Sequence, residues 1–298
     1  MEPIQGARIG STRKNLSGEL AYTSFVPARL SGITLERARG LDRAVGAAEF
    51  ALGRLWAACE RMGPEQVREL EREAIAREAR SSWKLSAGRD VGIAARTGGG
   101  AESSLTGADA LDADNLARAI SYAADPFDDL PVSRRLLANA HYLMTQGPRY
   151  EQSYPGEFRR SPAWIGPAGA ALATARFVGP EPAEMETAFA DLERYIHADD
   201  GESPIVKVAL AHLQFELIRP FIDGNGRIGR ILSLLMLRDA GRIPALILPI
   251  SDVLRSRSNM YYASIEFAEF DDDIEGWVAF MAEVIEEAAE RAIKNLSE

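Results

Sequence analysis

The chain has 298 residues, 46% hydrophobic and 26% charged, enough to bury a sizeable core in one large domain or in one domain with an appended segment. Its 34 Lys and Arg stand against 44 Asp and Glu, a formal net charge of −10, which argues against broad nonspecific binding to DNA or RNA while leaving room for a local phosphate pocket. Cys59 is the only cysteine, which excludes an internal disulfide framework and a cysteine metal cluster and fits a reducing compartment.

The opening MEPIQGARIG has no apolar stretch after a basic one. The longest apolar runs, ILSLLML and ALILPI, fall far short of the ~20 residues that span a bilayer. The expectation is a soluble, cytoplasmic protein without membrane or nucleic-acid partners; export as an effector stays open. Along the chain, helical periodicity dominates. In TLERARGLDRAVGAAEFALGRLWAACERM, Leu41, Val45, Phe50 and Leu52 recur at helical spacing, and PEQVRELEREAIAREA opens on Pro64, a residue favoured at a helix start. The stretch from Ser86 to Ala110, with Gly98, Gly99 and Gly100, reads as a flexible loop. We therefore divide the chain into an N-terminal helical region (1–96), a Gly-rich insertion (97–110) and a core (111–298). LDADNLARAISYA, PVSRRLLANAHYLM, AEMETAFADLERYIHA, PIVKVALAHLQFEL and the closing IEGWVAFMAEVIEEAAERAIK all look helical. Strand signal is confined to AWIGPAGAALATARFVG, whose two short segments flank a Gly/Ala/Pro-rich turn as in a hairpin. Exposed apolar faces on the N-terminal helices would serve a homodimer or, more simply, packing onto the core.

Gly224, Gly226 and Gly229 spell GxGxxG, a pattern that signals dinucleotide binding only between a strand and a helix. Before these glycines, Val206, Leu210, Leu213 and Leu217 fall on one helical stripe, so the entering element is a helix and the dinucleotide reading fails. What remains is a helix, a turn carrying Asp223 and Asn225, and a second helix beginning near Asn225. Its first N–H groups, unobstructed at Gly224 and Gly226, offer a place for an anion. Arg227 and Arg230 would add charge-assisted bonds to further phosphates, and Asp223 would hold a shared Mg²⁺ ion. The alternative is a tight corner in which Asp223 and Asn225 cap the second helix and the arginines form surface pairs.

The segment RPFIDGNGRIGR resembles the Fic family signature HPFxDGNGRxxR, matching at every position except the first. The resemblance extends to YTSFVPARL and GAAEFALGRL, to PGEFRRSPAWIG before the family's β-hairpin flap, to LAHLQFEL and to NMYYASI, and so covers the chain from about Phe25 to its last helix. It implies a mostly α, Fic-fold helical bundle with a small β-hairpin flap, whose usual chemistry is transfer of AMP from ATP to a protein hydroxyl. It further implies that Asp223 is the Mg²⁺ ligand, that Gly224, Asn225 and Gly226 form an anion hole for a nucleotide's phosphates, that Arg227 and Arg230 engage the β and γ region, and that Trp164, Ile165 and Gly166 of the flap dock a protein target by strand addition. In the family, the histidine that opens the signature takes the proton of the attacking hydroxyl.

Here that position is Arg219. A guanidinium has five donors, no acceptor and a pKa above about 12, so it cannot act as a base. Of the other histidines, His212 lies roughly 10 Å earlier along the same helix, and His141 and His197 belong to packed helices; none is assigned catalysis. Many family members also carry an inhibitory [S/T]xxxE[G/N] helix, but four residues beyond Ser81 and Ser82 stand Leu85 and Ser86, with no glutamate. Three readings follow: a divergent nucleotidyl transferase using another base or a nucleophile that needs none, a non-catalytic nucleotide- or partner-binding protein, and an ordinary AMP transferase inactivated at Arg219.

Overall fold

The computed structural model describes residues 8–18, 21–37, 39–87, 107–125, 131–150, 153–167 and 169–296. The chain opens with two antiparallel strands, β1 (Gly10–Asn15) and β2 (Tyr22–Pro27), paired from Gly10 opposite Pro27 to Asn15 opposite Tyr22. This hairpin was not expected, because GSTRKN has no apolar alternation and β1 is largely exposed. Side chains hold it instead: Asn15 donates to the Ser24 hydroxyl at 2.7 Å, and Arg13 pairs with Glu184 at 2.5 and 2.9 Å.

Among the described residues, α1 (Arg39–Cys59), α2 (Pro64–Ala87), α3 (Gly107–Ala124) and α4 (Arg134–Met144) follow. The Gly-rich insertion falls outside the described residues except for 107–110, which are the first turn of α3. Strands β3 (Trp164–Ile165) and β4 (Phe177–Val178) form the expected second hairpin. Beyond it lie α5 (Pro182–His197), α6 (Pro204–Ile218), α7 (Asn225–Asp239), α8 (Ile250–Ser256), α9 (Ser258–Phe270) and α10 (Ile274–Asn295). No helix among the described residues is long and apolar enough to cross a membrane.

Helix α6 is the axis of the molecule. Ser203 caps it, accepting from the Ile205 N–H at 3.2 Å, and Pro204 opens its first turn, where a missing N–H costs nothing. Every residue from Ile205 to Ile218 except Glu216 is buried. A helix apolar on all sides must be enclosed, and α5, α7, α10 and β2 enclose it. Of the stripe expected on α1, Leu41 and Leu52 are buried, whereas Phe50 is 69% exposed. Alanines at 48 and 51 in α1 and at 288 and 289 in α10 are buried, and these two helices share the most extensive helix contact among the described residues.

Trp277 of α10 is fully buried, stacks near His212 with ring centroids 5.8 Å apart, and donates its indole N–H to the Ala209 carbonyl of α6 at 2.8 Å. Trp277→Ala removes both packing and donor, and is expected to cost about 3–5 kcal/mol of stability by urea denaturation; a loss below about 1 kcal/mol would contradict this account of the core.

Candidate functional site

Helix α6 ends at Arg219, whose left-handed backbone (φ 47, ψ 67) turns the chain while its N–H donates to the Phe215 carbonyl. Such a conformation costs a non-glycine residue roughly 1–2 kcal/mol, so neighbours must hold it. Arg159 does this: its guanidinium donates to the carbonyls of Arg219 at 2.7 Å, Ser161 at 2.8 Å, Pro180 at 2.5 Å and Ile218 at 3.2 Å. The bonds to Ile218 and Arg219 satisfy carbonyls at the end of α6. Burial, reinforced by the charge of Arg219, lowers the Arg159 pKa to about 10.

The loop then closes on itself through Asn225. Its amide oxygen accepts from the Phe221 N–H at 2.9 Å and its amide nitrogen donates to the Phe221 carbonyl at 2.8 Å. The Asn225 side chain is thus a staple for the turn. Gly224, with φ +80, sets the start of α7 and provides no side-chain cap; a Cβ there would lie 2.5 Å from the Met144 methyl. A Cβ on Gly226 would meet Glu216 Oε1 at 2.9 Å and Arg230 Nη1 at 3.1 Å. Glycine at both positions lets Met144, Glu216 and Arg230 pack close to the start of α7, whose first-turn N–H groups together with the helix dipole favour an anion.

Three buried guanidiniums surround this turn. Arg227 donates to the Tyr150 hydroxyl at 2.8 Å and lies 3.5 Å from Asp223, but its Nε has no partner. Arg230 donates to the Ser82 hydroxyl at 2.8 Å, the Ser82 carbonyl at 3.0 Å and the Ser86 hydroxyl at 2.7 Å, all on α2. No carboxylate lies within ion-pair distance of it among the described residues. Ser86 is the residue four beyond Ser82, where the inhibitory pattern would place its glutamate. Arg219 is 5% exposed; its Nη1 stands 3.9 Å from Glu216, and its Nε is unpartnered.

Asp223 presents a carboxylate whose side chain is 41% exposed, with one oxygen accepting from the Gly224 N–H at 2.5 Å. Burial of its surroundings opposes ionisation, yet Arg227, the Gly224 N–H, His141 and Arg219 hold its pKa below the usual carboxylate value. Among the described residues no three His, Cys, Asp or Glu side chains gather to hold a metal ion. The donor set still fits Mg²⁺, which keeps several waters and takes one or two carboxylates together with substrate phosphates; Asp223 is the carboxylate that would hold it.

Neither nearby histidine is a free base. His141 accepts from the Gly156 N–H through Nδ1 at 2.9 Å and faces the Asp223 carbonyl through Nε2 at 3.0 Å, so the proton sits on Nε2. Its ring stacks on Phe221 at 3.9 Å. His212 is fully buried among the Gly229 carbonyl, Ser233 and the Tyr261 hydroxyl, at 2.9–3.1 Å. Burial lowers both pKa values to about 4. His197, the last residue of α5, meets the Val132 carbonyl at 2.6 Å.

In the flap, Trp164 pairs with Val178 and Ile165 with Phe177, and the Trp164 indole donates to the Ala170 carbonyl at 2.9 Å. A Cβ on Gly166 would lie 2.8 Å from that of Ala170, so the tight turn needs glycine there. On its other edge β3 has no partner among the described residues. The sequence reading missed Arg159, Tyr150 and Glu216, all of which support the loop. The first arginine of GEFRRS was the available signal for Arg159, but nothing local shows that two of its partners lie some 60 residues away. Two small clefts lie between α2, α8 and the end of α10.

Residues 131–237 match the Fic/DOC family model. Over 133 residues, 44% of this chain, the sequence is 32% identical to protein adenylyltransferase Fic of Drosophila yakuba and 30% identical to that of Drosophila melanogaster. The chain spans about a quarter of the length of these curated relatives (24%). A Fic family protein from Desulfovibrio desulfuricans G20 superposes with a TM-score of 0.68 over 88% of this chain and 76% of that one, at 22% identity. A Fic domain containing signaling protein from Bacteroides thetaiotaomicron superposes with a TM-score of 0.63 over 84% and 97%, at 18% identity. Residues 131–237 therefore carry a Fic/DOC domain, and the chain shares its helical fold and small hairpin with these Fic structures.

The buried neutral histidines predict a pH dependence. Above pH 6.5 folded and unfolded chains both hold His141 neutral; as pH falls from 6.5 towards 4 the unfolded chain takes the proton first, so stability is lost. For His141 the loss is on the order of 3 kcal/mol by pH 4. Glu78, whose pKa burial raises to about 7, works in the opposite sense between pH 4.5 and 7, so the comparison must be made between variants. His141→Asn is expected to flatten the decline in urea midpoint between pH 6.5 and 4; an unchanged slope would show that this ring does not carry it.

Proposed function

We propose that the protein binds a nucleoside di- or triphosphate at the first turn of α7, with Gly224, Asn225 and Gly226 giving backbone N–H groups to the phosphates and Arg227 and Arg230 engaging the outer ones. The observation that carries this reading is the set of buried guanidiniums around an uncapped helix start, one of which, Arg230, is held only by hydroxyls and a carbonyl. A phosphate is a stronger partner for a guanidinium than a serine hydroxyl, so a nucleotide would displace Ser86 at small cost. Bound Mg²⁺, held by Asp223, would neutralise phosphate charge.

On this reading the protein is a nucleotidyl transferase scaffold in which ordinary AMP transfer to a hydroxyl is slow. Arg219 occupies the base position and cannot take a proton, while His141 and His212 have both nitrogens engaged. The unpaired edge of β3, from Trp164 to Gly166, is the place for an extended segment of a protein target.

Arg219→His restores a proton acceptor at the end of α6. Incubated with Mg²⁺ and ATP labelled in the α phosphate, this variant is expected to label itself or a target faster than the parent by about 10²–10⁴. Equal and negligible labelling by both, with nucleotide bound, would show that the scaffold has lost more than its base.

A further inference from the structure

The side chain of Arg219 is precisely placed but poorly satisfied. Its backbone is fixed from two sides, by the Phe215 carbonyl and by Arg159. Its guanidinium, 5% exposed, has an unpartnered Nε and only a loose carboxylate at 3.9 Å. Buried polar groups ordinarily find partners, and Arg159 shows how fully this fold can satisfy one. Arg227, across the turn, also keeps an unpartnered Nε. Two incompletely bonded cations thus flank the uncapped start of α7, a 15-residue helix.

The surrounding groups restrict what can react there. Glu216, the carboxylate nearest Arg219, accepts from the Tyr261 hydroxyl at 3.1 Å and lies 3.9 Å from the Arg219 guanidinium, so it is engaged by both neighbours. The two histidines are committed elsewhere. With Asp223 given to Mg²⁺ on the reading above, a hydroxyl acceptor would find no free group among the described residues to take its proton, whereas a phosphate or carboxylate has lost its proton already at neutral pH.

We propose that the acceptor of this site is a pre-ionised oxyanion, a phosphate or carboxylate group, gripped by Arg219 and directed at the α phosphorus of the nucleotide. The inference rests on the nucleotide-binding reading above. An acceptor oxygen forms a new bond to the α phosphorus as the bond from that phosphorus to the bridging oxygen of pyrophosphate breaks. Pyrophosphate leaves with the electron pair, and no proton is transferred. Inorganic phosphate would give ADP, and a carboxylate would give an acyl adenylate. Arg219 is an acceptor-binding residue here, and its fork of donors suits the paired oxygens of either anion.

The test uses the full chain with Mg²⁺ and ATP in two arms, one with ³²P-labelled inorganic phosphate and one with ¹⁴C-labelled acetate plus hydroxylamine to trap acetyl adenylate. Nucleotide binding is measured on the same samples with Mg²⁺ and α,β-methylene ATP, and binding of inorganic phosphate to that complex is followed by calorimetry. The expected result is labelled ADP or trapped acetyl product with matching pyrophosphate. Arg219→Gln should lower that yield about tenfold or more and weaken the calorimetric binding of phosphate, in a variant that still binds nucleotide. Nucleotide binding without label transfer in either arm overturns the inference and leaves the nucleotide reading standing. Failure to bind nucleotide overturns both.

Discussion

The two hydrogen bonds between the Asn225 side chain and the backbone of Phe221 are the constraint on which the rest of the site depends. They close the turn between α6 and α7 so that Gly224 can take its left-handed conformation and α7 can begin without a side-chain cap. The helix start, its dipole and the guanidiniums of Arg227 and Arg230 take their positions from that closure. Phe221 is also the plate on which His141 stacks, so the same residue ties α4 to the loop.

On the proposed reading, the groups around this turn suit an anion, while the residue at the proton-acceptor position of the Fic signature does not suit proton transfer. Arg219 puts a donor where the Fic signature has an acceptor, and burial lowers its pKa from the ordinary value without giving it a lone pair to offer. Arg159 behind it keeps the end of α6 in place whatever side chain stands at 219, since all four of its bonds go to backbone carbonyls. Helix α2 reaches Arg230 with two serines rather than a carboxylate. Hydroxyls satisfy a guanidinium but do not neutralise it, which leaves its charge available to a phosphate.

Much of this was legible in the sequence, for identifiable reasons. The long periodic helices were visible from their stripes, and α7 begins at Asn225 as its turn residues indicate. The second hairpin was readable because Trp164, Ile165, Phe177 and Val178 are aromatic or β-branched around a Gly/Pro turn. The first hairpin was not, since Arg13 and Asn15 are held by partners on β2 and α5 that only the fold brings near. Helices α8 and α9 escaped notice too, one being seven residues long and the other having exposed Met260, Phe267 and Phe270 that blur its stripe. At the site, DGNGR indicated the turn between two helices that the structure shows, but Arg159 as clamp and the isolation of His141 and His212 depend on contacts between residues far apart in the chain.

The central claim is that this turn still receives a nucleotide's phosphates although its proton acceptor is gone. The most direct measurement is calorimetric titration of ATP with Mg²⁺ into the protein and into Arg230→Ala. The account predicts saturable binding with a Kd of roughly micromolar order, about −8 kcal/mol, weakened at least tenfold in the variant by loss of a charge-assisted contact. No heat of binding at millimolar ATP, or identical binding by both proteins, would contradict it.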